Sequence, residues 1–247
     1  MVVDLSQFVA GGYFLSRYVG PDWTNTPMRR VTVASDHSPR RFFPDSWTLS
    51  WCDMAEAARQ EQAAEFGIAP ADLGAVMQWA DRAFNVEFGA WHALFTLPVA
   101  RRVARTWLGG VADVELWGIG LHQSHVAAYC RASAPPPPKP GYAPMGASAT
   151  HEMVCLHPAP LAADGEALGF ELLVAECGGW NSPQSRHLDE DEALHAVGIT
   201  ANAHGLIDSF ADALRLGQAL AVPDDGGPAA LTGWLPWLLV RYPLAAP

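Results

Sequence analysis

Residues 29–35, RRVTVAS, and 45–52, DSWTLSWC, alternate polar with β-branched or aromatic side chains, the period-two pattern of half-buried strands. ALGFELLVAEC (167–177) is the clearest such run, and DVELWGIGL (113–121) predicts a strand buried on both faces. WHALFTL (91–97), HEMVCLHP (151–158) and WLPWLLVRYP (234–243) predict further strands. The N-terminal DLSQFVAGGYFLSRY is apolar, but Gly11-Gly12 interrupts it, which predicts short pieces.

Helical signals lie between these runs. Asp53 with Glu56 forms a capping-box start for MAEAARQEQAAEF, which stops at Gly67. A second helix opens near Pro70, with Leu73, Val76, Met77, Ala80 and Phe84 on one face. Thr96 caps PVARRVARTWL, and QSHVAAYCRA predicts a short helix. Asp189 with Glu192 starts another that closes at Gly198, and Ser209 with Asp212 starts FADALRLGQAL.

Strands and helices interleave without a strict βαβ rhythm. That predicts a mixed α/β fold, its α+β details open: a central mixed sheet flanked by short helices. SAPPPPKPGYAPMGASA (133–149) can neither join a sheet nor continue a helix. It is a surface loop within one domain (1–247) or the joint between two lobes, 1–132 and 150–247.

Composition narrows the class. Half of the residues are hydrophobic and 17% are charged, enough apolar surface for a substantial core. The formal net charge is −11, and residues 161–212 hold ten Asp and Glu against one base, Arg186. Such a field disfavours nucleic acid and favours a basic protein or a cation, unless it is only a solvated acidic surface. The four cysteines, at 52, 130, 155 and 177, stand apart, which predicts reduced and mostly buried thiols. The N-terminal MVVDLSQFV lacks a basic signal-peptide region, and LTGWLPWLLV is too short to span a bilayer. The expected setting is the cytoplasm, with no membrane association.

Candidate chemistry is sparse. HLDEDEALHAVGITANAHGLID (187–208) gathers five carboxylates and three histidines. Acids in a first helical turn match the helix dipole without any ligand, so an acidic helix start ranks ahead of a docking surface, and a metal site third. His122 and His125 are spaced for one helical turn, and His151, Glu152 and His157 flank the predicted strand at 151–158. A meeting of His122, His125 and His157 would give a divalent-metal hydrolase, although no H-E-x-x-H base is present. Cys155 and His157 would share a strand face as a thiolate pair, but no orienting third group is evident, and a core cysteine is preferred. WGIG carries two glycines of a dinucleotide fingerprint, with Gln123 in place of the third. RRFF (40–43) with Arg29 and Arg30 is a small basic and aromatic cluster, either an internal charge partner for the acidic half or a phosphate site.

Gly169, Phe170, Glu171, Leu172 and Leu173, then Gly178 and Gly179, then Asn202, Gly205, Leu206 and Ile207 form a recognisable pattern. It resembles poorly characterised bacterial proteins that act as immunity partners of polymorphic toxins. FFPDSWTLSW and GIGL are also similar to that group, whereas WNSPQSRHL replaces the His-Ser and Cys-Asn pairs that follow the Gly-Gly turn there. The resemblance implies a non-enzymatic protein that blocks a basic toxin. Trp180 would anchor the contact, rimmed by Glu176, Asp189, Glu190 and Glu192, with no cofactor. The two alternatives are the metal-dependent hydrolase, using His122, His125, His151 and His157, and a small-ligand binding protein with a tryptophan-lined pocket.

Overall fold

A computed structural model of the chain describes residues 3–18, 32–34, 40–43, 56–89, 92–134, 148–176, 179–183, 190–220 and 234–245. The elements run β1 (Phe8–Tyr18), β2 (Arg40–Phe43), α1 (Glu56–Phe66), α2 (Pro70–Ala83), α3 (Leu97–Trp107), β3 (Val114–His122) and α4 (Gln123–Ala132). They continue with α5 (Ala149–His151), a π-helical stretch Glu152–Leu156, β4 (Glu166–Glu176), β5 (Gly179–Asn181), α6 (Glu190–Ala196), α7 (Phe210–Ala219) and β6 (Leu235–Tyr242). Mixed α+β is therefore the class. The strand order is β2-β1-β3-β6-β4-β5, and every pairing is antiparallel, where a mixed sheet was expected. β6 lies between β3 and β4, so strands from both sides of the proline tract build the same sheet.

Both faces of that sheet are covered. One carries Leu15, Leu116, Phe170, Leu172, Leu238 and Val240 against Val76 and Ala80 of α2, Ala100 and Val103 of α3, and Leu216 of α7. The other holds Phe14, Trp117, Ile119, Leu121, Leu173, Trp237 and Leu239, packed with Tyr129 of α4 and Val154 of the π-helical stretch. A strand buried on both faces shows no polar side to a periodicity reading, and β3 is such a strand.

The first strand corrects an expectation. β1 does not break at Gly11-Gly12; it runs eleven residues, with its register against β3 shifting between Ala10 and Gly12. The bulge reverses side-chain parity, so Phe8 and Ala10 share a face with Tyr13 and Leu15. Gly11 is required there because a Cβ would come within 2.5 Å of the Trp237 ring. β4 repeats the device, shifting against β6 between Ala167 and Gly169, where Gly169 has φ +145°.

Several helix signals hold. Pro70 opens α2, Thr96 accepts from the Val99 N–H at the start of α3, and Ser209 accepts from the Asp212 N–H at the start of α7. Gly67 and Gly198 follow α1 and α6 with φ of +94° and +67°. Two predicted strands are absent as such. WHALFTL contributes only isolated bridges through Leu94, and residues 149–156 are helical, with Ser148 accepting from the His151 N–H. After Glu152 the run MVCL is apolar at both periods, so alternation alone could not distinguish strand from helix. Of RRVTVAS, residues 32–34 are described and form no strand. DSWTLSWC, Asp53 and positions 135–147 lie outside the described residues.

Candidate functional site

The histidines do not converge. Among the described residues no group of three or more His, Cys, Asp or Glu side chains is placed to hold a metal ion, which removes the support for a metal-dependent hydrolase. His122 ends β3 and caps α4, its Nδ1 accepting from the Ser124 N–H at 3.3 Å. Its ring packs on Phe210 at 4.6 Å. His125 meets the edge of Phe210 at 5.6 Å, and burial first, then His122, hold its pKa below the ordinary histidine value. His151 is buried, with Nδ1 2.8 Å from the Ser133 hydroxyl. His157 is exposed and faces a different part of the molecule, a cleft described below.

The proposed docking face loses its anchor. Trp180 is 1% exposed and packs against Trp237 at 5.0 Å in the second core, so it presents no indole to a partner. Glu192 is exposed on α6; Asp189 and the side chains of Glu176 and Glu190 lie outside the described residues. Several other acids of the C-terminal half are already engaged. Asp164 pairs with Arg101 at 2.5 Å, Glu166 with Arg241 at 2.5 Å, and Asp212 with Arg215 at 3.0 Å. Glu171 is fully buried and accepts from the Thr32 hydroxyl. Such a carboxylate serves the interior and not a solvated face.

The motif residues around Glu171 have structural roles. Asn202 donates to the Leu168 carbonyl at 2.8 Å and to Asp208 at 2.7 Å. Its Oδ1 accepts from the N–H groups of His204 and Leu206. Phe170 and Ile207 exchange backbone hydrogen bonds of 2.7 and 3.0 Å. A Cβ on Gly169 would meet Leu206 at 2.6 Å. The N-x-x-G-L-I segment is thus a clip that fastens the 202–207 loop to the bulge in β4. Of the basic cluster Arg41 is exposed, Arg29 and Arg30 lie outside the described residues, and Arg40 is internal: it pairs with Glu115, donates to Ser16 at 3.2 Å and lies 4.3 Å from the Trp117 ring centroid.

The cysteines require a further correction. Cys130 of α4 and Cys155 of the π-helical stretch form a disulfide, with Cα atoms 5.6 Å apart and a sequence separation of 25. Neither is a reduced core thiol, and no Cys155–His157 thiolate pair exists. The isolated spacing gave no hint, because the pairing depends on how two helical segments pack. The thiol argument for a cytoplasmic setting goes with it. No helix among the described residues is long and apolar enough to cross a membrane.

One concave site stands out. β2 pairs with β1 only at Leu15–Tyr18, so the same edge of β1 further back is met by loops instead of a strand. Tyr13 exchanges hydrogen bonds of 3.0 and 2.8 Å with Leu94, while the Ala10 N–H donates to the Ala159 carbonyl at 2.8 Å. Around these contacts lies a cleft of about 430 Å³, bordered also by the first turns of α3 and by the start of the π-helical stretch. Phe95, Leu97, Met153 and Tyr13 make most of its lining apolar.

Two polar groups of different character face it. Arg101 donates through Nη2 to Asp164 at 2.5 Å and through Nε to the Pro243 carbonyl at 3.1 Å, so its charge is already matched. Beside that pair Tyr13 is held neutral, its pKa pushed up to about 12 chiefly by burial. Tyr242 is pushed up further, again chiefly by burial, and donates to the Ala162 carbonyl at 3.3 Å. On the π-helical side are Glu152 and His157, neither with a side-chain partner among the described residues. The His157 N–H reaches the Glu152 carbonyl at 2.8 Å, the i+5 bond of a π-helix, and this wider turn brings both residues to the cleft. Arg101 and Asp164 carried no sequence signal: one sits in an Arg-rich helix face, the other in a turn.

Comparison with protein families, with characterised proteins and with solved structures returns no match for this chain.

Proposed function

We propose that the protein binds a small organic molecule in the cleft between β1, α3 and the π-helical stretch. The observation that carries this is the combination of size and lining. About 430 Å³ falls in the range of small-molecule sites, and a mostly apolar surface with a few convergent polar groups is their usual composition. The walls are pre-formed: backbone hydrogen bonds tie both neighbouring loops to β1, and the Cys130–Cys155 disulfide holds the π-helical wall against α4. Pre-formed walls lower the ordering cost of binding. This differs from a tryptophan-lined pocket, since no tryptophan among the described residues borders the cleft.

The test is a thermal-shift screen of small organic molecules on the full chain, repeated on Ala159→Trp. Ala159 is exposed at the cleft margin, so an indole there fills the space without entering the core. Molecules that raise Tm of the natural chain are expected to lose that effect on the variant. Hits that stabilise both proteins equally would place binding elsewhere and end this reading.

A further inference from the structure

We infer that the ligand is a small amine: a protonated nitrogen on an apolar, ring-sized body. This rests on the cleft reading above and adds the chemistry of its occupant. Among the described residues three groups of formal charge border the cleft, Arg101, Asp164 and Glu152. Arg101 and Asp164 neutralise one another, and Arg101 is further tied to the Pro243 carbonyl. An anionic ligand would have to displace Asp164 from the guanidinium, leaving a partly buried carboxylate without its cation. The remaining charge is negative. Glu152 is half-buried and no described residue supplies a donor to its carboxylate.

The backbone supplies a second observation. Glu152 does not project from a regular helix, where a surface acid would need no explanation. It opens a π-helical stretch with Met153, and the same stretch ends before His157, all three bordering the cleft. π-Helical turns are rare and concentrate at functional sites. A protonated amine donates to the Glu152 carboxylate as a charge-assisted bond, with the His157 imidazole close enough to border the same space. Its apolar body lies against Tyr13, Phe95 and Met153, where sulfur and rings favour an aromatic or cyclic group. The formal net charge of −11 further favours approach of cations.

The experiment is calorimetric titration of the full chain with three probes of nearly equal size: 2-phenylethylamine, 2-phenylethanol and 3-phenylpropanoate. The amine is expected to bind at least about tenfold more tightly than the alcohol, the size of one charged hydrogen bond, with the carboxylate weakest. In Glu152→Gln the amine falls to the level of the alcohol, and the alcohol is unchanged. If the natural chain binds alcohol and amine equally, or prefers the carboxylate, the amine assignment is overturned while cleft binding stands. The same holds if Glu152→Gln keeps the preference for the amine. If no probe binds the natural chain, or all bind Ala159→Trp equally well, the inference falls together with the cleft reading. The probe comparison on the natural chain needs no variant to fold.

Discussion

Glu166 and Glu152 stand at the starts of β4 and of the π-helical stretch, and the fold treats them differently. Glu166 takes two hydrogen bonds from Arg241, at 3.0 and 2.5 Å. Asp164 and Asp212 likewise have arginine partners, and Glu171 is folded into the interior on the Thr32 hydroxyl. Glu152 has no such partner among the described residues and borders a cleft. A run of acids in sequence measures total charge, not how much of it the chain's own cations leave unmatched. Asp164, Glu166, Glu171 and Asp212 are therefore weaker candidates for a cation partner than Glu152, one acid in a stretch with little charge.

Breaking the disulfide has the largest expected effect, because it removes the tether on the wall that carries Glu152. Cys130→Ser or full reduction should lower stability by about 3 kcal/mol, the loop-entropy value for a closure of this size. Urea unfolding with and without reductant measures it, and equal midpoints would contradict a structural disulfide. Thr32→Val is next. Removing the hydroxyl from a buried carboxylate should cost about 2 kcal/mol. No change in the unfolding midpoint would mean that Glu171 is not held in the interior as described.

Arg101→Met should cost about 1 kcal/mol, the upper end for an ion pair that is only partly shielded from water. It leaves Asp164 unpaired, so the variant should also take up the amine probe more tightly, turning an answered acid into a second open one. Unchanged amine affinity would contradict the reading of Arg101 and Asp164 as a self-neutralised pair. Smallest of all is the effect of Glu152→Gln on stability, expected within about 0.5 kcal/mol because the side chain makes no described contact that the fold depends on. A loss beyond about 1 kcal/mol would show Glu152 to be a structural acid like Glu171.

Much of the architecture was legible before the structure, and the failures share a cause. β4, β6, the caps at Thr96 and Ser209 and the helix start at Pro70 follow from local periodicity and turn chemistry, and β3 from its largely apolar run. Gly11-Gly12 reads as a break in the first apolar run, whereas in β1 it marks a bulge that the strand runs through. The expected strand at 151–158 is instead helical over 151–156: MVCL is apolar at any period, and a π-turn has no sequence signature of its own. The cleft followed from neither signal. The sequence singles out Glu152 only as a flank of the expected strand, and His157 as a flank, a metal-ligand candidate and a partner for Cys155. Arg101, Asp164 and Tyr13 join them through tertiary contacts between segments as much as 150 residues apart. Trp180 was the opposite case: a conspicuous residue whose place was the core.

The most direct measurement is a crystal structure of the full chain soaked with 2-phenylethylamine. The expected result is the ring against Tyr13 and Met153, with the nitrogen within hydrogen-bonding distance of Glu152. An empty cleft with the amine bound elsewhere, or the amine in the cleft with its nitrogen turned away from Glu152, would contradict it.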